Sequence, residues 1–133
     1  MAKQELLVGT KGSFSEIVEQ AKTAQVVGSG DKAVYATPAM IALVEKTAVK
    51  TLEGLLEDGK TTVGTLLNVK HLAPTPVGME VRCECVLSAI DRRRLVFNVE
   101  VYDECGIIGE GVHERFIVDK AGFQQKAEEK RKK

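Results

Sequence analysis

Between residues 37 and 58 the apolar side chains recur at helical spacing, and one carboxylate interrupts them. Stepping about 100° per residue from Ile41, the positions Val44, Ala48, Leu52, Leu55 and Leu56 fall within a stripe roughly 120° wide, the usual width of a core-facing helix surface. Lys46, Lys50, Glu53 and Glu57 gather on the opposite side, and Leu43 is the one apolar residue that strays there. Glu45 falls inside the stripe, between Leu52 and Leu56. A carboxylate without a partner is costly to bury, so this residue should be paired, protonated or facing a cleft. Each of those states is compatible with acid or base work. The plainer reading is a glutamate at the core's edge that meets a lysine or a backbone amide.

Thr37-Pro38 marks the start of this helix, because a threonine N-cap accepts a backbone N–H bond and proline at the first helical position loses nothing. The helix is predicted from Pro38 to about Asp58, with Gly59 as the left-handed stop. Thr37 extrapolates to the same face as Glu45, but eight residues of rise separate the two by about 12 Å along the axis. They do not touch directly. They can still act on one elongated substrate, or in a site completed by other elements or a second subunit. As a cap alone, Thr37 needs no such role.

Before the helix, weak alternation predicts a strand over residues 14–21 and a second over 23–27, ending at the turn Gly28-Ser29-Gly30-Asp31. After it, residues 61–72, 80–90, 95–103 and 107–118 alternate strongly, and the Gly, Asp and charged residues between them suit turns. One long helix followed by a four-stranded antiparallel meander predicts an α+β domain, residues 1–123, in which a sheet of five to six strands wraps the helix. Residues 124–133 hold almost no apolar side chain and are expected to be a charged, disordered tail. A sheet of this kind leaves an open edge and an outer face, which invites a homodimer.

A chain of 133 residues is long enough to bury a proper core, and its zero formal net charge argues against nucleic acid as a partner. Nothing resembles a signal peptide or a membrane span, which predicts a cytoplasmic protein away from membranes. Three cysteines are too few and too poorly spaced for a metal site or a disulfide framework, and Cys83, Cys85 and Cys105 read as reduced packing residues.

Thr37, Glu45 and His71, with Gly64 in the strand before His71 and His113-Glu114-Arg115 in the final strand, resemble the fluoroacetyl-CoA thioesterase family of hotdog-fold proteins. The local text is similar too, in Thr37-Pro38-Ala39-Met40, in Val63-Gly64-Thr65 and in His71-Leu72-Ala73-Pro74-Thr75-Pro76-Val77-Gly78. The likeness runs from residue 9 to about residue 123. It implies a hotdog dimer that binds acyl-CoA at the subunit interface; a tetramer is kept as the alternative assembly. It also implies Thr37, Glu45 and His71 as catalytic residues, Gly64 beside the acyl group and Arg115 in support. One departure stands out. In the fluoroacetyl-specific enzyme phenylalanines before the helix form a lid over the acyl pocket, whereas residues 28–36 here are a shorter stretch without Phe, and Tyr35 is the aromatic nearby.

The chemistry such a constellation supports is hydrolysis of a small acyl-CoA thioester. His71 titrates near neutrality and suits proton transfer, although a lone histidine is more often a surface or core residue. Glu45 is a candidate base toward water or a nucleophile through an anhydride, and Thr37 a group that binds or attacks. The first turn, Pro38, Ala39 and Met40, offers amide donors to a developing oxyanion. Coenzyme A enters as part of the substrate, with no other cofactor and no metal expected. Arg92-Arg93-Arg94 suits either coenzyme A phosphates or a solvated hairpin turn. Two other functions fit the frame: a non-catalytic acyl-CoA or small-ligand binding module, and enoyl-thioester hydration, whose Asp and His motif is absent.

Overall fold

The computed structural model describes residues 5–132. In chain order its elements are β1 (Lys11–Ile17), a 3₁₀ turn (Gln20–Lys22), α1 (Ala24–Val27), α2 (Thr37–Thr51), β2 (Lys60–His71), β3 (Glu80–Asp91), β4 (Arg94–Tyr102), β5 (Ile107–Asp119), α3 (Lys120–Glu129) and a second 3₁₀ turn (Lys130–Lys132). The five strands form one antiparallel sheet in the order β1-β3-β4-β5-β2, and α2 packs on its inner face, chiefly across β1 and β3. This is the α+β hotdog arrangement of a sheet wrapped around one long helix.

Only β3, β4 and β5 make the expected meander. β2 does not join β3 but lies at the far edge, paired with β5. Residues 72–79 explain the crossing, since a connection with two prolines cannot close a tight hairpin. That segment runs instead beside the entry to α2, where Val34 bridges Pro76 and the Tyr35 amide donates to the Thr75 carbonyl (2.8 Å).

The helix is shorter than its pattern. It ends at Thr51, and Gly54 (φ +77°) supplies the first left-handed residue, ahead of Gly59 (φ +81°). Leu55 and Leu56 therefore do not belong to the stripe. Met40, Leu43, Val44, Thr47 and Ala48 are the buried positions, so the core-facing direction turns by roughly 90°, about one residue step. Leu43, expected in solvent, is fully buried, and Glu45 moves from the middle of the stripe to its flank.

β1 starts earlier than expected, and residues 20–22 are a 3₁₀ turn. The strand expected over 23–27 is helical: the Thr23 hydroxyl accepts from the Val26 amide (3.4 Å), and Gly28 (φ +89°) stops the turn. Residues 124–132, expected to be disordered, belong to α3 and the turn after it. Their Ala, Gln, Glu and Lys are good helix formers, and Glu128 takes bonds from Gln124 (3.3 Å) and Arg131 (2.7 Å). No residue of α3 is buried. The expected boundary at residue 123 falls inside α3, and residues 1–4 and 133 of the expected domain and tail lie outside the described residues.

β3 and β4 supply most of the sheet's share of the core, with Val81, Cys83, Cys85 and Leu87 facing Leu95, Phe97, Val99 and Val101. Each fully buried Leu, Val or Phe contributes about 1.5–3 kcal/mol relative to exposure. All three cysteines are free; Cys83 and Cys85 pack in the core, where burial pushes the Cys83 thiol up to about 12, but Cys105 is exposed in the β4–β5 turn. Among the described residues no helix is long and apolar enough to cross a membrane.

Candidate functional site

Thr37 is not the cap of α2. Ala36 holds the extended N-cap conformation (φ −74°, ψ 139°), and Thr37 is the first helical residue. Its hydroxyl, free of capping duty, lies 2.7 Å from His71 Nδ1, joining the start of α2 to the end of β2. The sheet crossing makes this possible, because it is β2 that delivers its last residue to the mouth of the helix.

His71 is half-buried, and its Nε2 is buried with no hydrogen-bond partner among the described residues. Loss of solvation holds its pKa below the ordinary histidine value, with the backbone at Ala73 opposing the shift. The imidazole is therefore neutral at neutral pH. Tyr35 meets it edge-on, with ring centroids 6.5 Å apart and planes at 81°. Tyr35 is fixed in turn, since its hydroxyl donates to Glu16 Oε2 (2.6 Å) and Lys22 binds the other carboxylate oxygen (2.7 Å). Burial and the Glu16 carboxylate raise the Tyr35 pKa, so it stays a neutral donor. Thr37, His71 and Tyr35 border an open cavity of about 290 Å³, lined also by Ala24, Ser29 and Val34.

Of the first-turn residues expected to present amides, Pro38 has no N–H and the Met40 amide is taken by the Ala36 carbonyl (3.0 Å). Ala39, third in the helix, is left as the donor of the three, together with Thr37's own amide.

Glu45 belongs to a second group. Its side chain is 41% exposed, and Oε2 lies 3.3 Å from Arg115 Nη1. It also rests on Gly64, where an added Cβ would collide with that same oxygen and approach Arg115 Nη1 at 3.3 Å. Gly64 stands just before the β2 bulge, and Arg115 is its register partner on β5. The Arg115 guanidinium is almost fully buried and anchored by donation from Nε to Thr62 Oγ1 (2.8 Å) and from Nη2 to the Thr62 carbonyl (3.1 Å). Burial lowers its pKa and Glu45 opposes the shift; an arginine stays charged nonetheless. Nη1 also lies 3.1 Å from His113 Nε2. A cavity of about 350 Å³ opens over Glu45 and Arg115 between Phe14, Lys46 and Val49.

One chain thus brings together Thr37 with His71, and Glu45 with Gly64 and Arg115. Among the described residues no hydrogen bond or ion pair joins the two groups. Thr62 was missed from sequence, and His113, quoted in the family likeness, was given no role there. His113 sits two residues before Arg115 and so on the same strand face, a period-2 signal available beforehand; nothing marked Thr62. Of the arginine run, Arg94 pairs with Glu114 (3.1 Å) and Asp91 (4.0 Å), while Arg92 (φ +59°) and Arg93 are exposed at the β3–β4 turn.

Residues 18–121 match the family model described as fluoroacetyl-CoA-specific thioesterase. The chain is 35% identical over 97 residues to the fluoroacetyl-CoA thioesterase of Streptantibioticus cattleyicolor, covering 73% of this chain and 70% of that protein. It superposes on a variant of the fluoroacetyl-CoA-specific enzyme in complex with acetyl-CoA at a TM-score of 0.90, with 29% identity over 94% of this chain and 98% of the other. A thioesterase superfamily member from Thermus thermophilus gives a TM-score of 0.87 and 28% identity over 98% and 95% of the two chains.

Proposed function

The chain belongs to the fluoroacetyl-CoA-specific thioesterase family and is a thioester hydrolase, and from that premise we propose that it hydrolyses a small acyl-CoA thioester with Thr37, Glu45 and His71. The observation that carries the reading is the 2.7 Å contact between Thr37 Oγ1 and His71 Nδ1, a nucleophile and base within hydrogen-bond reach. With Nδ1 unprotonated, the Thr37 hydroxyl donates to it. Attack of Oγ1 on the thioester carbonyl passes that proton to His71, which returns it to the departing sulfur and leaves an acyl ester on Thr37. A water deprotonated by Glu45 then attacks the ester carbonyl, the acyl–Oγ1 bond breaks, Thr37 recovers its proton from the new carboxyl group, and Glu45 returns its proton to solvent as the carboxylate leaves. The free amides of Thr37 and Ala39, at the positive end of α2, face the oxygen that gains charge in both steps.

Thr37 and Glu45 are about 12 Å apart along α2, too far to serve one carbonyl carbon within a single chain. A homodimer through β2 resolves this. β2 is an edge strand whose Leu66 and Leu67 are 42% and 39% exposed, and an antiparallel pairing centred between Leu67 and Asn68 sets His71 of one copy opposite Gly64 of the other. Each site then takes Thr37 and His71 from one subunit and Glu45, Gly64 and Arg115 from its partner. The enzyme works in the cytoplasm as one hotdog domain, with no cofactor beyond the coenzyme A of the substrate. Residues 28–36 hold no phenylalanine, and no preference for fluorine is assigned.

The test is thiol release from a panel of short, branched, aromatic and fluorinated acyl-CoA esters, with Glu45→Gln and His71→Ala beside the parent. Turnover that collapses in both variants supports the site. Saturable binding of the esters without turnover by the parent overturns it in favour of a binding module.

A further inference from the structure

His113 lies on β5 two residues before Arg115, and both side chains point to the helix side of the sheet. It is wholly buried, stacked on Phe97 with ring centroids 6.3 Å apart and planes 26° from parallel. Its two nitrogens have different neighbours. Arg115 Nη1 lies 3.1 Å from Nε2, and a guanidinium has only donors, so Nε2 accepts. The ring proton therefore sits on Nδ1, which donates to the Leu66 carbonyl 2.9 Å away, at the point where β2 resumes its pairing after the bulge. A cationic ring would present a donor to a donor and a like charge to the guanidinium. The neutral Nδ1–H form is the one this arrangement accepts.

We propose that His113 is a positioning residue for the Glu45–Arg115 pair, holding Nη1 so that Arg115 orients the Glu45 carboxylate over Gly64 without clamping it. Nη1 has two hydrogens and two acceptors, His113 at 3.1 Å and Glu45 at 3.3 Å. The other arms of the guanidinium are spent on Thr62. Without an acceptor at His113, a buried N–H is left unmade, and its nearest compensation is to draw Glu45 in and occupy the lone pairs a base needs. The inference rests on the reading of Glu45 as a working carboxylate. It adds that the carboxylate is set by a histidine that touches neither substrate nor Glu45 itself.

Two substitutions separate positioning from scaffolding. His113→Gln leaves an acceptor near the place of Nε2, whereas His113→Asn leaves a donor near the place of Nδ1 and abandons Arg115. Positioning predicts that His113→Gln keeps kcat within about threefold, while His113→Asn loses about tenfold or more in kcat at nearly constant KM. The reverse order, with Asn active and Gln impaired, makes His113 a pin for the β2 bulge and overturns the proposal. Long-range ¹H–¹⁵N correlation on the parent reads the tautomer directly: Nδ1–H at neutral pH supports the proposal, and Nε2–H or an imidazolium overturns it. Crystal structures of both variants give the Arg115–Glu45 distance, which should shorten in His113→Asn and hold in His113→Gln. Should the parent hydrolyse no thioester, the proposed function fails on that result alone, and the tautomer and the two distances still decide the role of His113.

Discussion

Thr37 Oγ1 and His71 Nδ1 stand 2.7 Å apart although 34 residues separate them, because the first turn of α2 and the last residue of β2 meet at one end of the sheet. The hydroxyl is exposed and makes no cap, so its removal has little structural consequence. Thr37→Ala is expected to leave the melting temperature within a degree or two, since surface changes away from caps stay within about 0.5 kcal/mol. Its kcat should fall by about a hundredfold or more, and Thr37→Ser should recover most of the loss. A stopped-flow burst of thiol in the parent, absent in Thr37→Ala, would identify the ester intermediate. Full steady-state activity in Thr37→Ala would remove Thr37 from the chemistry.

Gly64 and Gly12 both sit where a methyl group has no room, with opposite expected costs. At Gly64 the obstacle is Glu45 Oε2, the far end of a flexible side chain, so Gly64→Ala should fold normally while kcat drops by about tenfold or more as the carboxylate is displaced. At Gly12 the obstacle is Thr51 on α2, a short side chain whose hydroxyl already donates to the Thr47 carbonyl (2.7 Å). Gly12→Ala must part β1 from the helix, at about 1–3 kcal/mol of stability. Thermal melts set beside thiol-release rates separate the two cases.

Both histidines are held below the ordinary pKa, His71 by burial against the backbone at Ala73, His113 by burial and Arg115 against the Leu66 carbonyl, Glu45 and Glu114. In each case the unfolded chain binds the proton more readily than the folded one. Stability is therefore complete above the unfolded value of about 6.5 and is lost as pH falls through the lower folded values. The melting temperature should be flat near pH 8 and decline below about pH 6.5, more shallowly in His71→Gln. The rate should follow with an acid limb below 6.5, because protonated His71 cannot accept from Thr37. A melting temperature that rises on acidification would contradict both assignments.

What the sequence revealed and what it hid divide along the range of the interactions. The four strands after the helix were legible to within a residue or two at most ends, because alternation is a local signal written by one buried face. The place of β2 beside β5 was not, since strand order is set by the route of residues 72–79 past Val34 and Tyr35, which no periodicity records. Glu45 was singled out for a partly wrong reason: Leu55 and Leu56 were counted into a helix that Gly54 had already ended. Its partner, Arg115, entered only through the family likeness, and the link through His113 depends on ring nitrogens whose neighbours appear only in three dimensions.

The separation of Thr37–His71 from Glu45–Arg115 within one chain leads to a subunit-mixing prediction. Glu45→Gln removes a charge from a partly exposed ion pair, worth under about 1 kcal/mol to stability, and should cost about a hundredfold or more in kcat. His71→Ala should be as severe. If each site draws His71 from one subunit and Glu45 from the other, a heterodimer of the two variants contains one site with both residues intact and one with neither. Random reassociation of equal amounts makes half the dimers mixed, so the mixture should regain about a quarter of parental activity from two nearly inactive parents. Separating the heterodimer with distinct tags should raise that to about a half. If the pure heterodimer is as inactive as its parents, both residues act within one chain; the β2 pairing would then be wrong, and the 12 Å along α2 would have to be bridged by the substrate itself.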